Sequence, residues 1–529
     1  MAELQIDGKM VPFHPGESVI QAATRKSIEI PHYCWHPRLS VAANCRMCLV
    51  EVEKAPKLVP ACQTECKEGM VVSTASERVK TAQRQVNEFL LINHPIDCPI
   101  CDQAGECKLQ DYYMRYQLTP SRMREPKAHK AKSEPIGPRV MYNAQRCVMC
   151  TRCVRFMEEV PKDRQLGVIG RGDHSVIGCA EGKTLDSAYS LNTVDVCPVG
   201  ALTSNVFRFK QRVWNLRRSP SLCGGCAKGC NVHVDQRSGQ VYRLLPRENE
   251  AVNKSWLCDD GRLTYNRSNT GRIHEALVRD GAFLRGTGAD EATKAAGALL
   301  NPCLSRPGSL AVALSLHASN EEALAIIHWA QSMGAHPTLF WFGYPDGEAD
   351  NLLRHADKNP NRAGIARVAQ KAGVALGDGA ALATAVGKGE IEALVVLGSE
   401  GEGLEQMAEL ASKLRAVIQV SFAKTPLTDV AHVTLPSLSW VENDGTWLSG
   451  EQRLQQLTPA FAPLGESKST LRWLDALSQA VGHPAQQASS AAWQVKLAAE
   501  DGAYAGVDFG AIGPLGLSLA APDTLAASA

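Results

Sequence analysis

Cysteine is concentrated in the first half of this chain. Seventeen of its 18 cysteines lie in the first 258 of 529 residues, and most of them fall into four groups at spacings typical of iron–sulfur sites. The groups are Cys34, Cys45, Cys48 and Cys62; His94, Cys98, Cys101 and Cys107; Cys147, Cys150, Cys153 and Cys197; and Cys223, Cys226, Cys230 and Cys258. Cys66, Cys179 and Cys303 are left over. Thiolates at such spacings bind metal, and a chain with several metal clusters is most often a conduit for electrons.

The overall composition limits the partners and the cellular compartment that are expected for this chain. Lys and Arg number 56 and Asp and Glu 55, so the net charge gives no reason to expect nucleic acid or anionic lipid as a partner. No apolar run approaches the roughly 18 residues that a membrane-spanning helix needs. The start MAELQIDGKMVPF lacks the pattern of a secretory signal. We expect a protein of the cytosol, or one peripheral on a membrane-bound assembly, where a reducing environment favours metal over disulfides.

The first two groups differ in their ligand chemistry. The first has the spacing C-x10-C-x2-C-x13-C, an elongated form of the ferredoxin loop that holds a [2Fe–2S] cluster, with structural zinc as the alternative. The second, H-x3-C-x2-C-x5-C, replaces one thiolate by an imidazole. At a [4Fe–4S] cluster this exchange removes one negative charge and should raise the reduction potential. A Cys3His zinc site has the same ligand set, and His94 could also be an ordinary helix C-terminal residue.

The third group lies in RCVMCTRCVRFM and DVCPVGAL. In two-cluster bacterial ferredoxins the fourth cysteine of each motif binds the other cluster. The positions of one ligand set are here occupied by Met157, Ser187, Ser190 and Thr193. The pattern therefore predicts a two-cluster ferredoxin fold that keeps one [4Fe–4S] cluster, with Cys179 as a small buried hydrophobe. The fourth group, C-x2-C-x3-C-x27-C, is also sized for a [4Fe–4S] cluster, and zinc is again the alternative.

The sequence divides into segments of different composition. In the later part, short apolar runs such as SLAVALSL and EALVVLG alternate with helical stretches such as NEEALAIIHWAQSMG, which predicts buried parallel strands in an α/β layer fold. The last fifty residues, rich in Ala, Ser, Gly and Pro, are expected to form a poorly ordered tail. The predicted segments are 1–78, β-rich around the first group; 79–118, helical around the second; 139–218 around the third; 219–272 around the fourth; 273–480, α/β and structural; and 481–529, the Ala-rich tail.

These motifs closely resemble the large iron–sulfur subunit of respiratory complex I, NADH:quinone oxidoreductase, of the NuoG type. HYCWHPRLSVAANCRMCLVEVEK, HPIDCPICDQAGECKLQDYYM, RCVMCTRCVRF and DVCPVGAL occur in the order of that family. CGGCAKGCNV and LCDDGRLTYN also resemble the cluster domain of molybdopterin oxidoreductases. DVAHVTLP and ENDGTW resemble a later domain of the same enzymes.

The resemblance implies a multidomain α+β and α/β fold. Its parts would be a β-grasp [2Fe–2S] ferredoxin domain, a helical His/Cys segment, a ferredoxin-like [4Fe–4S] domain, and the cluster domain with a partial α/β region of the molybdopterin oxidoreductases. It implies one [2Fe–2S] cluster on the first group and [4Fe–4S] clusters on the other three, the fourth off the main electron path. Much of a molybdopterin domain is missing, and Cys303 lies too near the fourth motif to bind molybdenum, so no molybdopterin is expected. Cys66 departs from the family pattern, and PACQ favours Cys62 as the ligand.

The resemblance also implies the partners. NAD and FMN would belong to a flavin- and NADH-binding subunit, from which electrons pass through this chain toward quinone. The chain would join other peripheral-arm subunits of the proton-translocating enzyme on the cytoplasmic side of the inner membrane, without inserting into the membrane. An equivalent subunit of a soluble NAD-linked hydrogenase or formate dehydrogenase is the alternative. A zinc-bearing scaffold without a redox role is a third hypothesis.

Overall fold

The chain folds into two units, Met1–Leu216 and Arg217–Ala529, and the computed structural model describes residues 2–116, 120–333 and 336–519. Residues 117 and 118 of the predicted helical segment, and 520–529 of the predicted tail, lie outside the described residues. The boundary between the units falls close to the predicted boundary at 218/219. Within the described residues no helix is both long enough and apolar enough to cross a bilayer.

The first unit begins with a mixed sheet. Its elements are β1 (Glu3–Ile6), β2 (Lys9–Pro12), α1 (Val19–Arg25), β3 (Leu49–Val52), β4 (Val59–Pro60) and β5 (Val71–Ser73). The strand order is β2-β1-β5-β3-β4, with β1 and β5 parallel and the other neighbours antiparallel. Asp7 and Gly8 join β1 to β2 with φ of 49° and 81°, the two positive values that a tight two-residue hairpin needs.

The rest of the first unit consists of short elements joined by long loops. They are α2 (Glu77–Leu91), α3 (Lys108–Tyr116), β6 (Glu134–Pro135), β7 (Val140–Tyr142), α4 (Arg152–Glu159), β8 (Gly167–Ile169), β9 (Val176–Gly178), α5 (Asn192–Asp195) and β10 (Leu202–Ser204). Strands β10, β7 and β6 form one antiparallel sheet, and β8 and β9 form a hairpin. Ser76 caps α2 by accepting a hydrogen bond of 3.3 Å from the backbone N–H of Val79.

The second unit opens with an antiparallel sheet of β11 (Arg217–Leu222), β12 (Asn231–Arg237) and β13 (Gln240–Pro246). The elements that follow it are α6 (Asp259–Leu263), α7 (Tyr265–Asn269), β14 (Ala276–Asp280), β15 (Phe283–Thr287), α8 (Ala289–Leu304), β16 (Leu310–Ser315), α9 (Asn320–Ser332), β17 (Thr338–Phe342), α10 (Arg362–Lys371), α11 (Gly379–Gly387), β18 (Ala393–Leu397), α12 (Leu404–Ala411), β19 (Ala416–Ser421), β20 (Val433–Pro436), β21 (Gly445–Leu448), β22 (Arg453–Leu457), α13 (Thr470–Ala480), α14 (Ser490–Ala498) and β23 (Leu517–Ser518).

A large sheet forms the centre of this unit in the order β15-β14-β20-β19-β18-β16-β17. Strands β16 to β20 pair in parallel, and β14 and β15 add an antiparallel edge. Every residue of β16, β18 and β19 is buried, because helices cover both faces of such a sheet. The predicted buried parallel strands are therefore confirmed.

The prediction of a poorly ordered tail from residue 481 is wrong for its described part. Helix α14 buries Trp493 and Leu497 completely in the core of the α/β region, and β23 pairs with β22. The amide of Gln494 donates a 2.9 Å hydrogen bond to the carboxyl of Glu321 in the first turn of α9. Glu321 also accepts bonds from the backbone N–H and the hydroxyl of Thr446, and burial raises its pKa to about 7.

Candidate iron–sulfur cluster sites

The first group forms two pairs of cysteines on the loops around β3 and β4. The sulfur of Cys34 interacts with that of Cys45, and the sulfur of Cys48 with that of Cys62. The backbone N–H of Cys34 also points to the sulfur of Cys45 at 3.5 Å. Within each pair the interaction lowers the pKa of one thiol, Cys34 or Cys62, and raises that of the other. Two pairs of sulfurs suit a core of two irons with four thiolate ligands.

Cys66 has different neighbours from Cys62. Its backbone N–H donates to the carbonyl of Glu17 at 2.8 Å, and the charges acting on its thiol come from Glu17, Arg25 and Glu65. Burial raises the pKa of Cys66 to about 11. Cys62, in contrast, is influenced by other members of the first group. The structure therefore brings Cys62 together with the first group and leaves Cys66 outside it.

The second group lines one small cavity of the first unit. The lining includes all four predicted ligands, His94, Cys98, Cys101 and Cys107, together with Arg146 and Gly200. His94 follows the end of α2, Cys98 begins a short 3-10 turn, and Cys107 immediately precedes α3. Burial lowers the pKa of His94 to about 4, so its imidazole is neutral near pH 7, the form that can bind a metal.

The third group lines a second small cavity, whose other walls are mainly apolar. Cys147, Cys150, Cys153 and Cys197 all contribute to it. The backbone N–H of Met149 points to the sulfur of Cys147 at 3.4 Å, the type of contact that stabilises a negatively charged cluster. Burial raises the pKa of Cys150 and Cys197 to about 11.

The positions of the missing second ligand set are part of the protein core. Met157, Ser190 and Thr193 are fully buried, and the hydroxyl of Thr193 donates to the carbonyl of Ser190 at 2.6 Å. Cys179 is half-buried and lies outside the cavity of the third group, with its sulfur 3.8 Å from the carbonyl of Ile136. Met157, Ser190 and Thr193 are thus packed inside the protein.

Two contacts join the third group to the other two within the first unit. The guanidinium of Arg155 donates to the carbonyl of Cys34 at 2.6 Å and to that of Cys150 at 3.2 Å. On the other side, Gly200 follows Cys197 along the chain and lies so close to Cys101 that a Cβ there would be 2.2 Å from its sulfur. The third group therefore lies between the first and the second. Nothing in the sequence marks Arg155 or Gly200 for these contacts, which sequence reasoning missed.

The fourth group belongs to the second unit and surrounds the start of β12 and of α6. Its four cysteines, Cys223, Cys226, Cys230 and Cys258, are buried. The backbone N–H of Gly261 points to the sulfur of Cys258 at 3.3 Å. A Cβ at Gly261 would lie 2.9 Å from the sulfur of Cys223 and 3.1 Å from that of Cys258, so only glycine lets the backbone approach both.

The donor chemistry of the four groups fits iron–sulfur clusters. The buried thiols of Cys153, Cys230 and Cys258 have raised pKa values because burial and neighbouring thiolates disfavour negative charge, which a core of iron ions would offset. Among the described residues, no three His, Cys, Asp or Glu side chains are arranged around a single metal ion. In a cluster, the protein ligands are distributed over several irons.

The second unit has a small crevice beside its large sheet. The carboxyl ends of β16 and β18 border a cavity of about 50 Å³, lined by residues such as Ser315, His317 and Glu400. Small-molecule sites usually measure roughly 300–1,000 Å³. Cys303 lies in α8, fully buried in the hydrophobic core, with its sulfur 3.7 Å from the carbonyl of Leu299. It is not among the residues that line the crevice.

Family models match successive parts of the chain. They are described as the 2Fe-2S iron-sulfur cluster binding domain at residues 1–77, the NADH-ubiquinone oxidoreductase-G iron-sulfur binding region at 83–122, the NADH-quinone oxidoreductase subunit 3 ferredoxin-like domain at 137–203, the NADH-ubiquinone oxidoreductase NDSU1/NuoG-like 4Fe-4S domain at 224–266, and molybdopterin oxidoreductase at 288–480. Each of the four cysteine groups falls within, or almost within, one of the first four matches.

Curated relatives match a little more than half of the chain. The NuoG-type NADH-quinone oxidoreductase subunit of Rickettsia bellii is 43% identical over 295 residues, which are 56% of this chain and 43% of that protein. The mitochondrial NADH-ubiquinone oxidoreductase 78 kDa subunit of Candida albicans is 43% identical over 304 residues, 57% of this chain and 42% of that protein. The matches thus span less than half the length of these relatives. Among solved structures, a chain of a NAD+-reducing [NiFe]-hydrogenase in the H2-reduced state is 28% identical, with a TM-score of 0.37, over 40% of this chain and 91% of that chain.

Proposed function

This chain belongs to the family of the large iron–sulfur subunit of NADH-quinone oxidoreductase, the NuoG type, and we propose on that basis that it relays electrons from a flavin-bearing partner subunit toward quinone. The relatives are named as subunits of that enzyme, and the cysteine groups of this chain lie within or directly beside the ranges that the iron–sulfur family models match. One [2Fe–2S] and three [4Fe–4S] clusters would supply the electron-carrying chemistry. The protein would hold them, tune them and fix their order.

The contacts of the third group with its two neighbours carry this proposal. Arg155 binds carbonyl groups beside ligands of both the first and the third group, and Gly200 packs the ligand loop of the third group against Cys101 of the second. Electron transfer slows steeply as the distance between two centres grows, so centres held side by side suit a relay. The path supported by these contacts runs from the first group through the third to the second, which differs from their order along the sequence.

Each of these groups has residues that would tune its potential. His94 would make the second site less anionic than a four-thiolate site, and Arg155 brings a positive charge beside the first and third. The fourth group would lie off this path. The α/β region of the second unit would serve as a structural and docking part without a pterin.

The finer assignments belong to the same proposal. We infer a β-grasp fold for residues 1–78 and a ferredoxin-like fold for 139–218, supported by the mixed sheet around α1 and by the cysteine pattern of the third group. The sixteen ligands would be the residues of the four groups. The partners would be the NADH- and FMN-binding subunit and other peripheral-arm subunits, on the cytoplasmic side of the inner membrane.

The proposal is tested in the assembled enzyme by removing the middle centre. We expect Cys150→Ala to abolish NADH-driven quinone reduction, while NADH oxidation by ferricyanide at the flavin persists. The matched control is Cys179→Ala, which changes a cysteine outside the four groups and should leave both activities unchanged. Full quinone reduction by the Cys150→Ala enzyme would contradict the relay.

A further inference from the structure

A large cavity lies in the second unit, and no cysteine lines it within the described residues. Its volume is about 800 Å³. That is within the range of roughly 300–1,000 Å³ in which proteins bind small molecules. Its walls come from the start of β11, the chain after β20, the loop between β22 and α13, and the first turns of α13 and α14.

Three cationic side chains line this cavity. They belong to Arg217, Lys468 and Arg472, and no carboxylate of the described residues forms an ion pair with any of them. The ammonium of Lys468 lies 4.7 Å from the centre of the Trp473 ring, and this contact restricts its position. The cations are therefore available to an anion from solution.

The acidic residues of the lining offset little of this charge. The carboxylate of Glu442 is buried in an ion pair with Arg272, with oxygen–nitrogen distances of 2.5 and 2.9 Å. Its charge is thus already compensated. Asp444 also lines the cavity and is exposed to solvent, as are Arg217 and Arg472, so it offsets at most one of the three positive charges.

Two helices begin at the same cavity. Ser469 caps α13 and Ser489 caps α14, each accepting a backbone N–H at 3.4 Å, from Arg472 and Ala492. Both caps line the cavity, as do Ser490 and Ala491 of the first turn of α14. The positive ends of both helix dipoles, with their free N–H groups, therefore border the same space.

We propose that this cavity binds a small phosphate-bearing molecule of nucleotide size. Lys468, Arg472 and the starts of α13 and α14 hold the phosphate. Leu438 and Phe461, which also line the cavity, offer an apolar surface to the rest of the molecule. A carboxylate ligand carries one negative charge, whereas a phosphate group carries up to two. The two helix N-termini and three cations therefore favour a phosphate-bearing ligand over a carboxylate.

The test uses ADP as the probe and calorimetric titration of the full chain after anaerobic cluster reconstitution. ADP should bind more tightly than pyrophosphate, and adenosine should not bind measurably. Arg472→Gln and Lys468→Gln should each weaken ADP binding about tenfold or more, because each removes a charge-assisted contact.

Lys413→Gln, at an exposed lysine outside the cavity, is the matched control and should bind ADP as the wild type does. Each variant is also checked for an unchanged melting temperature without ligand. The proposal is overturned if millimolar ADP does not bind to the wild type, if adenosine or pyrophosphate binds as tightly as ADP, or if the Arg472 and Lys468 variants bind ADP like the control.

Discussion

Replacing Gly200 by alanine tests the second cluster site, because the added methyl group would collide with one predicted ligand, Cys101. The new Cβ would lie 2.2 Å from Sγ of Cys101 and 3.0 Å from Cβ of Gln103. Ordinary van der Waals contact begins near 3.4 Å, so the sulfur would have to retreat by about 1.2 Å, the difference between 3.4 and 2.2 Å. Metal–ligand bonds tolerate deviations of only about 0.2 Å. The displacement is therefore several times larger than a cluster ligand can accept.

We expect the Gly200→Ala chain to lose the cluster of the second group and to keep the others. Its iron content should fall from about 14 to about 10 atoms per chain, since one [4Fe–4S] cluster is lost. One component of the paramagnetic resonance spectrum of the dithionite-reduced chain should disappear. Gly167→Ala is the control, because its Cβ would meet nothing within 4 Å. Full iron content in the Gly200 variant, or loss of the third cluster with the second retained, would refute the reasoning.

Three further changes probe other residues. His94→Cys should keep the full iron content but lower the midpoint potential of one cluster in a redox titration, because a thiolate adds one negative charge to the site; an unchanged midpoint would count against a ligand role. Cys62→Ser should remove the [2Fe–2S] resonance signal, whereas the Cys66→Ser chain should keep it. Equal loss of the signal in both variants would contradict the assignment of Cys62 as the ligand. Burial raises the pKa of Glu321 from 4.5 to about 7, so the folded chain prefers the protonated carboxyl and loses stability as pH rises through this interval, by on the order of 3 kcal/mol. The Glu321→Gln chain should not show this loss of stability when thermal unfolding is measured between pH 4.5 and 8. A decrease in stability with pH equal to that of the wild type would argue against the role of Glu321.

Local signals in the sequence were sufficient for much of the fold. The Asp7-Gly8 turn needs two positive φ values that these residues tolerate, and the apolar runs of the parallel sheet can only be buried strands or helices. The described part of the Ala-rich tail was mispredicted because its order depends on a few large residues, such as Trp493 and Tyr504, within a background of small ones. Average composition conceals such anchors.

The cysteine spacing likewise predicted which side chains would meet, since all four members of the second and of the third group line one cavity each. It could not predict how the groups lie relative to one another. The contacts of Arg155 and Gly200 join segments far apart in the chain, and neither residue type is unusual in its local sequence. The spatial order of these cysteine groups, with the third between the first and the second, depends on tertiary packing.

The most direct test of the account is the metal content of the full chain, purified and reconstituted anaerobically. Iron and acid-labile sulfide should each approach about 14 atoms per chain, as one [2Fe–2S] and three [4Fe–4S] clusters require, and the protein should be brown and paramagnetic after reduction with dithionite. A colourless protein that retains zinc in place of iron and gives no resonance signal would contradict it.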